Sequence, residues 1–150
     1  MTYWLMKSEP NDYSIDDLER DKMEPWDGIR NYQARNMIRD DMKIGDQAFF
    51  YHSSCKVPSV VGIMQIASDA YPDPTQFDPK NNHYDAKSPE DSPRWLLVDV
   101  KFERKMKRPI TLKELKEHPT LNDFRLNQRG NRLSIFPVSE DHWNLILGLE

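Results

Sequence analysis

The chain has 150 residues, 37% of them hydrophobic, which is enough to bury one core without disulfides or a metal, so one domain over residues 1–150 is expected. Its net charge of −4 argues against indiscriminate coating of nucleic acid, because non-specific affinity grows with the number of phosphates neutralised. No segment is long and apolar enough for a membrane span or patterned as a signal peptide, and Cys55 and four histidines lack metal-ligand spacing. A cytoplasmic protein without metal or other cofactor is expected.

The first third of the chain predicts one strand and two helices. Residues 3–6 are short, aromatic and apolar, which is typical of a buried opening strand. Ser14 and Asp17 have the spacing of a capping box at the start of a short helix. Asn31 can cap a second helix, after a loop that contains proline and glycine.

The rest of the chain alternates strands, loops and two more helices. Residues 48–52 and 60–66 are predicted to pair as a hairpin, and further strands are predicted over 95–102 and 133–138. Residues 71–93 contain five prolines and predict a long loop. Helices are predicted after Thr111 and Ser139, by the same capping logic. About five strands with short helices and no regular βαβ alternation predict an α+β fold on a curled sheet or small barrel.

The segment Trp26–Asn36 has the composition of a pocket for a planar ligand. It holds two aromatic residues, two arginines, two asparagines, a glutamine and a glycine. Aromatic faces can stack on a base, amides can read its edge, and guanidinium groups can bind phosphate. Trp26 is expected to stack on the ligand, and Trp26→Ala to abolish binding with little change in melting temperature. The other tryptophans are expected in the core: Trp4, Trp95 and Trp143.

The remaining polar residues of this segment are candidate ligand contacts. Asn31 has a structural use as a helix cap, whereas Gln33 and Asn36 lie inside the predicted helix, where an amide is not needed for stability. One of these three amides is expected to read a base edge. Tyr32 can face either the pocket or the barrel. Phosphate contacts are predicted for the two arginines of the segment, Arg30 and Arg35.

Residues at the ends of the predicted strands form a second group of candidates for base binding. If the first strand pairs with the strand over 48–52, Ser8, His52 and Ser53 come together at one rim of the barrel, where hydroxyl donors can meet a carbonyl or ring nitrogen of a base. Structural capping of the strand ends explains them equally well. Tyr71 begins the long loop and is expected to wall the pocket.

Basic residues concentrate in two stretches of the second half. Residues 101–108 hold five bases against one acid, and residues 125–132 hold three arginines and no acid. A basic surface is therefore expected, although a solvated face or an ion pair to the loop of Asp27 would give the same pattern. The predicted phosphate contacts in these stretches are Lys105, Arg129, Asn131 and Arg132.

Six ordered motifs, spread over nearly the whole chain, closely resemble the EVE domain family. They are residues 3–10, 26–36, 45–46 with 49–53, 62–63, 70–73 and 129–134. The resemblance implies a PUA-like pseudo-barrel of five or six strands, related to the ASCH and YTH domains, with a modified base held beside the barrel. The tryptophan that follows the first strand in YTH domains is similar in place to Trp26.

The same resemblance implies a function. The implied ligand of an EVE domain is a modified cytosine in DNA, with RNA as a second class of target. Eukaryotic relatives carry a long basic N-terminal tail, whereas this chain starts at its first strand, so we expect a compact stand-alone protein of bacterial type. A partner enzyme in a restriction or modification context is a further expectation. The oligomeric state is left open.

The sequence is compatible with three functions. The first is a non-catalytic reader of modified bases in DNA, and the second is a module that binds modified or structured RNA. The third is a small hydrolase with Cys55 as nucleophile near His52, or with Asp27 and Glu9 as an acid/base pair. The hydrolase is least favoured because the sequence shows neither an oxyanion hole nor a third orienting group.

Overall fold

The computed structural model describes residues 1–130 and 132–150 as strands and helices in mixed order. The strands are β1 (Tyr3–Ser8), β2 (Met23–Pro25), β3 (Gln47–His52), β4 (Ser59–Ile66), β5 (Tyr71–Pro72), β6 (Leu96–Leu97), β7 (Asp99–Thr111) and β8 (Ile135–Val138). The helices are α1 (Ile15–Asp21), α2 (Tyr32–Asp40), α3 (Leu112–Glu117) and α4 (Glu140–Leu149), with short 3-10 turns at Pro74–Phe77, Pro119–Leu121 and Arg125–Asn127. The predicted α+β class is confirmed.

Six of these strands form one curled sheet, in the order β2-β7-β4-β3-β1-β8. β1 runs parallel to β3, and the other neighbours are antiparallel, including the predicted hairpin of β3 and β4. Register shifts interrupt the β3–β4 pairing between Phe50 and Tyr51 and the β4–β7 pairing at two places. Bulges of this kind increase the local twist and bend a strand, so they let the sheet curl into a half-barrel.

Both faces of the strands in the middle of the sheet, β4, β3 and β1, are buried. Because side chains alternate along a strand, Trp4 and Met6 of β1 point into one core cluster while Leu5 points into the other. The first cluster is covered by α1 and α2, and the second by α3 and α4. Trp143 of α4 stacks on Phe49, with 3.9 Å between the ring centroids. Burial on two faces explains why these strands read as continuous apolar runs instead of alternating patterns.

The helix starts follow the predicted capping residues. Ser14 and Asp17 form the full capping box of α1. The side chain of Asn31 accepts a hydrogen bond from the backbone N–H of Ala34, and Thr111 and Ser139 cap α3 and α4 in the same way. These four local predictions hold because each cap satisfies an otherwise unpaired backbone donor within three residues of sequence.

The strand predicted over 95–102 differs from the structure. It divides at Val98 into β6, which pairs with β5, and β7, which continues to Thr111 and carries the basic stretch 101–108. The predicted loop 71–93 contains β5 and a 3-10 turn. Local patterns do not reveal such divisions, because the pairing partners lie far away in the sequence. No helix in the described part of the chain is long and apolar enough to cross a bilayer.

Gly62 in β4 provides a test of how closely α1 packs on the sheet. A methyl group at this position would lie 2.8 Å from Cγ1 of Ile15 and 3.1 Å from the carbonyl oxygen of Arg104. Gly62→Ala is therefore expected to lower the free energy of unfolding by about 1–3 kcal/mol, as overpacking does in close-packed cores. Urea denaturation measures the change.

Gly148 in α4 is the matched control, since an added methyl group there meets nothing within 4 Å. Gly148→Ala is expected to raise the free energy of unfolding by about 0.5–1 kcal/mol, through the lower backbone entropy of alanine in the unfolded chain. An equal effect of the two substitutions would contradict the packing of α1 against Gly62.

Candidate functional site

A cavity of about 530 Å³ lies between the end of β1 and the loop that follows β2. Its volume falls within the usual range of small-molecule pockets, about 300–1,000 Å³. Residues 7–9, 12–13 and 24–29 form most of its wall, and Ser53, His83, Arg132 and Ser134 complete it. The lining combines one indole, several carboxylates and several hydroxyl groups, which suits a flat ligand with a polar edge.

Trp26 belongs to both the core and the cavity. Only 7% of the residue is exposed, its ring meets Phe50 edge-on at 5.4 Å, and its backbone N–H donates to the carbonyl of Val98. It also lines the cavity. The expectation that Trp26→Ala leaves the melting temperature nearly unchanged is therefore corrected, because removing a buried indole costs about 3–5 kcal/mol.

A buried carboxylate holds the loop that carries Trp26. Asp73 has no exposed surface, and its carboxylate accepts hydrogen bonds from the Gly28 N–H at 2.8 Å and from Arg30 at 3.0 Å. The N–H and hydroxyl of Thr75 donate to its other oxygen. Burial raises the pKa of Asp73, but the donors Thr75, Gly28 and Arg30 outweigh it and hold the pKa below its usual value.

Asp27 contributes one of the four carboxylates of the cavity and directly follows Trp26. Its carboxylate makes no hydrogen bond or ion pair with another residue in the described ranges, whereas the neighbouring Glu24 acts on the hydroxyl of Tyr13. Desolvation and the nearby Asp73 raise the pKa of Asp27 above its usual value. Asp27 is nevertheless an exposed residue, so its carboxylate is open to a ligand that donates a hydrogen bond and thereby favours the charged form.

Gly28 lets a distant loop close one side of the cavity. Its φ of +83° is in the left-handed region, and a methyl group on it would lie 2.7 Å from Cε1 of His83. The His83 ring therefore packs directly against the glycine backbone, and the Nε of Arg30 donates to the His83 carbonyl at 2.9 Å. Only glycine fits both the backbone conformation and this close approach.

The polar residues of α2 do not line this cavity. Asn31 is the helix cap, and Gln33 and Asn36 are exposed on the helix surface. Tyr32 is half exposed and packs on Trp95 at 4.8 Å, with the Arg35 guanidinium 5.1 Å from its ring centre. Tyr32 and Arg35 thus fasten α2 to the segment that precedes β6, and the base contacts expected for the residues of α2 stay predictions.

The rim residues fall into two groups. Ser8 and His52 are register partners in β1 and β3, and the N–H of Ser53 donates to the carbonyl of Ser8 at 3.0 Å. Ser8 and Ser53 line the cavity, but the Nε2 of His52 accepts a hydrogen bond from Ile15 at the start of α1 and lies outside it. The hydroxyl of Tyr71 donates to Asp99 and also lies outside the cavity.

Of the residues predicted to contact phosphate, some lie at a cavity and others are engaged elsewhere in the protein. Arg30 uses its donors on Asp73, Thr75 and two backbone carbonyls, so they are not free for phosphate. Arg35 donates to the Arg94 carbonyl, and Lys105 forms ion pairs with Asp16 and Glu19, away from the cavity. Arg132 lines the cavity and Arg129 lines a neighbouring one. Asn131 lies outside the described residues.

Nothing in the described ranges assembles a nucleophile and base around Cys55. The Sγ atom lies 3.8 Å from the carbonyl oxygen of His52, and the His52 ring is engaged by the Ile15 N–H. The described residues also contain no group of three metal-ligating side chains.

Sequence reasoning missed several residues of this cavity. Lys7 lies in β1, Asp12 and Tyr13 follow that strand, and the sequence offered Asp27 and Glu9 as an acid/base pair and not as ligand contacts. Asp27 could have been found, since it directly follows Trp26 in the same loop. The part played by His83 has no local signal, because its packing on Gly28 depends on a contact across more than fifty residues of sequence.

The curled sheet with helices on both faces and a cavity at one side defines a PUA-like pseudo-barrel. Its fold is shared with an ASCH protein of Zymomonas mobilis, at a TM-score of 0.56 and 12% identity, with 99% of each chain covered. The family is narrower than this fold. The EVE domain family model matches residues 2–149, and the chain belongs to that family.

Relatives within the family are much more similar. The chain is 47% identical to mouse thymocyte nuclear protein 1 over 167 residues, which covers 99% of this chain and 73% of that protein. A crystal structure of human THYN1 protein in complex with 5-methylcytosine-containing DNA superposes with a TM-score of 0.94, at 45% identity, covering 99% and 97% of the two chains. A protein of Pseudomonas syringae also reaches 0.94, at 47% identity and 98% of each chain. These names state no enzymatic activity.

The buried Asp73 carboxylate makes stability depend on pH in a defined direction. Because its folded pKa lies below the unfolded value, its contribution is complete above the unfolded pKa, about 4, and is lost as pH falls through the folded pKa. Asp73→Asn is expected to lower the free energy of unfolding by about 3–5 kcal/mol at neutral pH, since it breaks a buried ion pair. The difference from the parent should shrink towards about pH 3.

Urea denaturation across that pH range measures the difference, with Asp69→Asn as control. Asp69 is exposed, and no ion pair involves it among the described residues. An Asp73→Asn effect that stays constant with pH, or that matches the Asp69→Asn effect, would contradict the assigned role of the Asp73 charge.

Proposed function

We propose that this protein is a non-catalytic reader that holds a modified cytosine of DNA in the cavity beside Trp26. The observation that carries this proposal is the position of the Asp27 carboxylate, which no other described residue pairs. It lies next to the buried indole of Trp26 in a cavity of about 530 Å³. The complex of human THYN1 with 5-methylcytosine-containing DNA supports this assignment by similarity. We propose that residues 1–150 act as one functional domain and that the protein is located in the cytoplasm.

The chemistry of a cytosine edge matches this lining. Cytosine presents an exocyclic amino group as donor, and aspartate or glutamate is its usual side-chain acceptor. In the proposed pose, Asp27 accepts from that amino group, and Ser53 or Ser134 donates to the ring nitrogen or carbonyl. Thymine carries the same methyl group but presents a carbonyl in place of the amino group, so it would face Asp27 with an acceptor.

Magnitudes indicate what kind of strand binds best. Extruding a base from a duplex costs a few kcal/mol, whereas one aromatic stack returns about 1–3 kcal/mol. Single-stranded DNA avoids the first cost, so it is expected to bind more tightly than duplex. A buried methyl group contributes about 0.8 kcal/mol, which is roughly fourfold preference for 5-methylcytosine over cytosine.

Asp27→Asn tests the proposed hydrogen bond. The parent is expected to prefer 5-methylcytosine to thymine at one position of a single-stranded oligonucleotide by about tenfold or more, and the variant to lose most of that preference. Because the pKa of Asp27 is raised, removing its charge is not expected to lower the melting temperature. Fluorescence anisotropy with labelled oligonucleotides measures the affinities, and calorimetry the stability.

Asp41→Asn is the matched control, since Asp41 is exposed at the end of α2 and does not line the cavity. It is expected to bind like the parent. The oligonucleotide panel should also contain cytosine, 5-hydroxymethylcytosine and methylated adenine, with an RNA version of each. Equal binding of all bases by the parent would overturn the proposal. A preference that requires the ribose hydroxyl groups would replace DNA by RNA as the target.

A further inference from the structure

A second cavity, of about 710 Å³, adjoins the first one. Lys7 and Ser53 line both cavities, so the two spaces meet at the paired ends of β1 and β3. The second cavity is otherwise walled by the loop after β3, by α3 and by residues 122–130. A polymer held in the first cavity would therefore pass Lys7 and Ser53 to reach the second.

The two cavities differ in charge. Four carboxylates line the first, from Glu9, Asp12, Glu24 and Asp27, against the two cations Lys7 and Arg132. Among the described residues, the second is lined by three cationic side chains, from Lys7, Lys116 and Arg129, and by no aspartate or glutamate. The first cavity thus suits a ligand edge that donates hydrogen bonds, and the second suits an anion.

Lys7 is a cation that lacks a partner anion. It is half-buried, makes no ion pair within the described ranges, and its nearest ring contact is Phe136, 6.0 Å from Nζ to the ring centre. Desolvation by burial lowers the pKa of Lys7. An anion placed between the two cavities would offset that desolvation and favour the charged form.

The wall that carries the other two cations is held together by hydrogen bonds. The side-chain amide of Asn127 donates to the carbonyls of Leu115 and Leu121, which joins α3 to the segment that leads to Arg129. The N–H of Leu112 donates to the carbonyl of Pro58, which ties α3 to the loop after β3. The segments that carry Lys116 and Arg129 are therefore joined to each other by hydrogen bonds.

We propose that the second cavity binds phosphodiester groups of the strand whose modified base occupies the first cavity. The strand passes Ser53 and Lys7, and the flanking phosphates contact Lys116 and Arg129. This inference rests on the proposed function, since the phosphates next to a held base lie within one nucleotide of it. It also explains how a chain of net charge −4 can bind a polyanion, because the cations are local to the path of the strand.

Lys116→Gln and Arg129→Gln test this path, with Lys113→Gln as the matched control. Lys113 lies on the same helix as Lys116 and loses the same charge, but it does not line the second cavity. Affinities of single-stranded oligonucleotides with one cytosine or one 5-methylcytosine are measured by anisotropy at several salt concentrations. Each cavity variant is expected to bind both oligonucleotides several-fold more weakly at low salt.

The salt dependence gives the decisive readout. Removing one phosphate contact should reduce the slope of log affinity against log salt by about 0.7 for single strands, while the ratio of 5-methylcytosine to cytosine binding stays constant. Slopes for Lys116→Gln and Arg129→Gln that equal the Lys113→Gln slope would overturn the phosphate path. If the parent binds both oligonucleotides equally but the Lys116→Gln and Arg129→Gln variants still show reduced salt slopes, the base-reading proposal is overturned and the phosphate path stays supported. A parent that binds neither oligonucleotide overturns both.

Discussion

The buried Asp73 carboxylate is the interaction on which the candidate site depends. It accepts from Gly28 and Arg30 on one side and from Thr75 on the other, and so joins the loop after β2 to the segment that follows β5. Without it, these two irregular segments would share few backbone hydrogen bonds. Its charge is stabilised by donors that would otherwise be buried without partners, so loop geometry and ionisation state are coupled.

Trp26 is a core residue that, in the proposed function, would also contact the ligand. Trp26 is held by its backbone bond to Val98 and by Phe50, so its ring is already ordered before any ligand arrives. A preorganised ring saves the entropy of ordering on binding. The neighbouring Asp27 has the opposite character, because it is exposed and its carboxylate has no partner residue in the described ranges.

The residues of α2 show why composition alone does not decide how a side chain is used. Tyr32, Asn36 and Arg35 are residue types suited to bases and phosphates, yet the structure uses Tyr32 and Arg35 to hold α2 against Trp95 and Arg94. Stacking faces and guanidinium donors serve protein contacts as readily as ligand contacts. Which use applies depends on the neighbours that the fold supplies, and these come from residues about sixty positions away.

The sequence by itself determined the features that depend on near neighbours. These are the four helix caps, the hairpin of β3 and β4, the core positions of Trp4, Trp95 and Trp143, and the family, because capping residues, apolar runs and ordered motifs are written in short stretches. Only the tertiary structure decided which polar groups face the cavities. The packing of His83 on Gly28, the Asp73 clamp and the meeting of Lys7 with Arg129 at one cavity all join distant segments. Such contacts depend on how the sheet curls, and no local pattern of residues specifies that curl.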